Sequence, residues 1–152
     1  MLSSLKTILR ELETSCKVLV ALLQKERACL VDFDARAVEE LTKEKDTLLL
    51  RMRLLDEERR RLVSALSVEW QGSIEGELTL RVLAEKTGDA ELSEIRLKLV
   101  SLAQSINDLS HFNKYLIDRS LINIRSVRGF FDAYGEWSPA ASENGTLLSR
   151  ET

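Results

Sequence analysis

Apolar side chains recur at alternating steps of three and four from the start of the chain: Leu2, Leu5, Leu9, Leu12, Cys16, Leu19, Leu23, then Leu30 and Phe33, with Glu26 the one exception. A period of about 3.5 residues held over about four heptads leaves a helix with a single straight apolar seam, and such a seam is stable only against another helix. The first segment is therefore one long helix, over about residues 2–32.

The pattern stops at Asp32-Phe33-Asp34. Asp34 is placed to accept a hydrogen bond from first-turn amides, and Phe33 to pack on Val38 as a hydrophobic staple. Glu39 and Glu40 suit the positive end of the new helix dipole. A second helix over about 35–70 carries Leu41, Leu48, Leu55 and Leu62 at every seventh position, with Val38, Met52 and Leu66 at the alternate seam positions and Lys45 and Arg59 as charged interruptions of that alternate series. Leu49, Leu54 and Val63 widen its stripe, as expected if this helix touches two neighbours. So short a connection makes it antiparallel to the first.

Gly72, Gly76 and Gly88 punctuate a connector at 71–89, with room for a short helix over about 77–86. This connector can start the next helix at either end of the hairpin. The third long helix, about 90–134, has Asp89 as its N-cap and a seam of Leu92, Ile95, Leu99, Leu102, Ile106, Leu109, Leu116, Val127, Phe130 and Tyr134. The seam is interrupted at Asn113, Ser120 and Asn123. A second stripe, Ile117, Leu121, Ile124 and Phe131, begins one residue over, and two apolar faces on one helix need two partners. Beyond Gly135 the period is lost around Pro139 and Asn144-Gly145, so 136–152 reads as a flexible, disordered tail. The expected fold is all-α: an elongated antiparallel bundle of three long helices with a short connector helix, forming one domain over 1–135.

Composition narrows the function classes. Charged residues are 31% and aromatics 5%, and the net charge of -3 comes from 22 basic and 25 acidic residues interspersed along the same segments. No field of one sign results, which disfavours nucleic acid. Arg59-Arg60-Arg61 follows Asp56-Glu57-Glu58 at helical pairing distances and reads as a solvated face. Cys16 and Cys29 lie roughly 20 Å apart along one helix, too far to bridge. With no long uncharged apolar run and no apolar leader, the expected location is the cytoplasm.

Nothing in the sequence resembles catalytic machinery. His111 has no cysteine or acid spaced to form a nucleophile–base pair, no glycine-rich phosphate loop or metal motif occurs, and neither cofactor nor metal is expected. Glu26 and Lys45 occupy seam positions of the antiparallel pair and read as an ion pair fixing register in preference to an acid and a base. Asn113, Ser120 and Asn123 lie on the seam of the third helix. Their polar groups are either satisfied inside the bundle or face a groove awaiting a partner.

The second helix, EELTKEKDTLLLRMRLLDEERRRLV over 39–63, and the third, INDLSHFNKYLIDRSLINIRSV over 106–127, resemble the FlgN-type flagellar export chaperones. The family's "EK..LL" element is matched by Glu44-Lys45 with Leu48-Leu49, and its "LN..NG.LI" element by Leu109, Asn113, Leu116 and Ile117. Ser110 stands where the family often has its first asparagine, and Lys114 replaces the usual glycine. The resemblance covers about residues 5–135. It implies a cytoplasmic chaperone for hook-associated proteins of the hook–filament junction, which binds their C-terminal amphipathic helix, prevents premature assembly and delivers them for export.

On that reading the client-binding residues are Leu109, Asn113, Leu116, Ile117, Ser120, Leu121, Asn123, Ile124 and Phe131. The resemblance also implies docking on the export gate through Tyr134 and Gly135, with components of the export ATPase complex as further partners. Tyr134 alternatively packs on the bundle, since it keeps the seam register. A homodimer is compatible with the pattern, and the competing function is a structural coiled-coil adaptor or homo-oligomer that buries the extra stripe by self-association.

Overall fold

The computed structural model describes residues 1–70 and 77–133, without the side chain of Phe131. Gly72, Gly76, the Tyr134-Gly135 step and the tail assigned to 136–152 lie outside the described residues. The chain divides into two compact units, Met1–Asn113 and Lys114–Thr152. The described residues form four helices and no strand, in agreement with the all-α expectation: α1 Leu2–Val31, α2 Ala35–Glu69, α3 Leu80–Thr87 and α4 Ala90–Ala133.

The turn between α1 and α2 is closed by backbone geometry at Phe33. Its φ of 56° is left-handed, which lets the Asp34 N–H reach the Cys29 carbonyl at 3.0 Å and the Phe33 N–H reach that of Leu30 at 3.3 Å. These two bonds are the Schellman pattern that ends a helix, here with phenylalanine where glycine is usual. Asp34 then caps α2, its Oδ1 accepting from the Ala37 N–H at 3.0 Å. The staple expected at Phe33 does not form. The ring is 77% exposed, because the left-handed step directs the chain into the turn before α2 begins.

Within the first unit, α2 returns antiparallel to α1. Leu5, Leu9 and Leu12 near the start of α1 share one core with Leu62 and Leu66 near the end of α2. Leu78, Leu83 and Ala84 of the connector and Leu92 and Ile95 of α4 complete that core. The connector thus covers the open end of the hairpin and leaves α4 to start there.

Charge pins that start. The Lys6 ammonium lies 2.5 Å from Asp89 and 3.1 Å from Glu91, and Arg10 also pairs with Glu91. Asp89 caps α4 through the Leu92 N–H at 3.1 Å. Further along, Asn113 meets α1 at Leu23 and Glu26, so the first half of α4 runs parallel to α1.

α1 is buried on two sides along much of its length, while α2 meets its second neighbour toward its end, where Leu62, Val63 and Leu66 join the core shared with α3 and α4. Beyond its seam, α1 also buries Leu22, Glu13 and Ser15, whereas Leu49 and Leu54 of α2 are exposed. Of the three residues read as a second stripe on α2, only Val63 packs against the core. The physical reason is topological: α1 is flanked by both α2 and α4.

In the second unit the described residues continue α4 from Lys114. Leu116 and Ser120 are half-buried, and every residue from 121 to 130 is exposed.

Candidate functional site

The heptad seam of α1 places a carboxylate, Glu26, where an apolar residue would otherwise stand, and the structure surrounds it. Glu26 is buried, and its Oε2 accepts from the Lys45 ammonium of α2 at 2.7 Å. Its Oε1 accepts from the Asn113 Nδ2 of α4 at 2.9 Å, and the same Nδ2 donates to the Leu23 carbonyl at 3.0 Å. Both Asn113 contacts are acceptors, so the amide orientation is determined. One carboxylate therefore ties three helices together.

Asn113 is 2% exposed. Of the two options open to it, its amide nitrogen takes the one inside the bundle, while its Oδ1 has no hydrogen-bond partner among the described residues. Neighbouring Phe112 receives the Arg27 guanidinium over its ring at 5.9 Å from the centroid.

The remaining client-binding candidates spread over a gradient of exposure. Leu109, Leu116 and Ser120 are half-buried, and the Ser120 hydroxyl donates to the Leu116 carbonyl at 3.0 Å, so its polar group is satisfied within the helix. Asn123 is exposed, as are Ile117, Leu121 and Ile124, the last at 63%. These three apolar residues fall on successive turns of one face, and Phe131 continues their register. The structure also exposes apolar residues outside either expected stripe, Tyr115 and Ile122. No heptad argument singles them out.

Among the described residues, no group of three His, Cys, Asp or Glu converges as a metal site would require, and His111 is exposed. No described helix is long and apolar enough to cross a membrane. Cys16 is buried, and burial with Glu13 nearby pushes its thiol up from the ordinary range, the reverse of what activates a nucleophile.

Beyond Asn113, the described part of α4 leaves Tyr115, Ile117, Leu121, Ile122 and Ile124 exposed among polar residues. The FlgN protein family profile matches residues 1–132. The chain belongs to the FlgN family, a family of flagellar export chaperones and not of enzymes. No curated protein and no solved structure matches it.

Proposed function

We propose that this chaperone binds the C-terminal amphipathic helix of hook-associated proteins along the second half of α4, keeps it from assembling early, and delivers it to the export apparatus in the cytoplasm. The observation that carries the reading is the exposed run of Ile117, Leu121 and Ile124 on successive turns. Covering one such side chain contributes at most about 1.5–3 kcal/mol. Ordering a disordered client segment costs roughly 2–5 kcal/mol, with about 4–15 kcal/mol more for lost translation and rotation. Three residues do not offset that sum, so the client contact extends through Val127, Phe130 and Phe131.

Leu109, Leu116, Ser120 and Asn123 flank this face. Asn113, held inside the bundle, acts on client binding by positioning α4, and the Glu26–Lys45 pair holds the register. Tyr134 and Gly135 are the proposed contact with the export gate, with ATPase-complex components as further partners.

The test is calorimetric binding of C-terminal fragments of hook-associated proteins, beside full-length clients lacking that end. The fragments should bind and the truncated clients should not. Leu121→Asp with Ile124→Asp should abolish binding without lowering the melting temperature of the bundle. Tyr134→Ala should keep client binding and lose gate binding.

Fragments that do not bind would overturn the proposal in favour of the second reading, a coiled-coil adaptor or homo-oligomer. That reading draws on the exposed Leu49, Leu50 and Leu54 of α2. It requires sedimentation to report an oligomer at every accessible concentration.

A further inference from the structure

A cleft of about 900 Å³ opens on the first unit where α2, the start of α3 and the first half of α4 meet. Its lining includes the half-buried Val63 and Leu99 and the exposed Val100. Four guanidinium groups from three helices surround it: Arg59 and Arg60 of α2, Arg81 of α3 and Arg96 of α4. Glu77 is the only carboxylate among the described residues that line it.

Three of these arginines hold a carboxylate of their own helix. Arg59 and Arg60 share Asp56, at 2.7 and 2.8 Å, and Arg81 reaches Glu85 at 2.9 Å. Arg60 and Arg81 are well exposed, so their pairs are weak and these two groups can turn to a second carboxylate at little cost, while the Arg59 pair is partly buried. Arg96 differs. It is half-buried and has neither an ion pair nor a hydrogen bond among the described residues. A guanidinium that has lost part of its water without gaining a carboxylate is the strongest anchor in the cleft for an incoming one.

We propose that this cleft docks an acidic, apolar peptide segment of a protein partner, with a carboxylate on Arg96 and apolar side chains on Val63, Leu99 and Val100. The arginines come from three different helices with apolar side chains among them, which suits several carboxylates along a chain better than one compact anion. The volume falls in the range of ligand-binding clefts, about 300–1,000 Å³. All the described lining residues lie within Met1–Asn113, so the site goes beyond the client face proposed on the second half of α4.

Fluorescence anisotropy with a fluorescein-labelled peptide of alternating Glu and Leu tests the proposal on the full chain. The peptide should bind saturably, and its Gln–Leu counterpart at least about tenfold more weakly. Affinity should fall as salt is raised from about 0.05 to about 0.5 M. Arg96→Gln should weaken binding several-fold and Arg96→Glu more, with circular dichroism unchanged. Lys43→Glu, the same charge reversal on an exposed lysine of α2 away from the cleft, should leave affinity unaltered. Equal binding of the two peptides, equal damage from Lys43→Glu and Arg96→Glu, or no saturable binding would each overturn it.

Discussion

At the residue scale, Phe33 combines two costs, a left-handed backbone and a ring 77% exposed to solvent. A left-handed residue with a Cβ costs roughly 1–2 kcal/mol, and glycine at this position of a helix end avoids it. Phe33→Gly should therefore raise stability by about 1 kcal/mol, read as a higher denaturation midpoint at unchanged m-value; a fall would mean that the ring packs usefully after all. The two cysteines make a second test. Cys16 is buried and its thiol is held up by burial first and by Glu13 second, while Cys29 is half-buried. Under native conditions at neutral pH a thiol reagent should label Cys29 well before Cys16, the two rates converging only in denaturant. Neither outcome is readable from the heptad, which marks Cys16 as a seam position and says nothing of the turn geometry at Phe33.

At the element scale, the start of α4 depends on Asp89. The hydrogen bond from Lys6, then the backbone hydrogen bond from Leu92, hold its carboxyl below the ordinary value of 3.8. A carboxyl whose folded pKa lies below its unfolded one stabilises the fold fully above the unfolded value. That stabilisation is lost as pH falls through the folded value. Denaturant midpoints should thus be flat near neutrality and fall below about pH 4, the ordinary Asp range. Asp89→Ala should lower the denaturant midpoint at neutral pH, as expected for a lost N-cap, and should flatten part of the acid slope. An unchanged slope would remove Asp89 from the acid transition. The cap itself was legible, because Asp89 stands immediately before the first periodic residues of α4. Its pairing with Lys6 was not, since no spacing in the sequence brings residues so distant in the chain together.

At the scale of the whole molecule, the Lys45–Glu26–Asn113 network ties α1, α2 and α4 of the first unit together beyond the apolar core they share. Removing Glu26 alone leaves an ammonium and an amide without their shared acceptor. Glu26→Leu should cost about 3–5 kcal/mol, the usual penalty for breaking a buried pair from one side. Replacing all three with Leu should recover most of that loss, since apolar side chains of similar volume remove the unmet polar groups. If the network specifies register, the triple variant should broaden its NMR spectrum despite its stability. A spectrum as sharp as the parent's would confine the network to stability.

The sequence by itself determined the class of fold, the helix periods and the caps, because these depend on neighbours within a few turns along the chain. The family followed from its short motifs, with Asn113 among them. It also placed Glu26 and Lys45 opposite one another, since an antiparallel hairpin with a short turn leaves little freedom of register. Which helix is flanked on both sides was decided only by the tertiary structure. The widened stripe on α2 marked a second neighbour that reaches it at Val63, whereas the second neighbour of α1 turned on the end of the hairpin at which the connector let α4 begin. Three-dimensional packing also separated Asn113, drawn into the core by Glu26, from Ile117, Leu121 and Ile124, left in solvent a turn or more further on. Periodicity records which side chains share a face, and only the placement of the other helices decides which of those faces is covered.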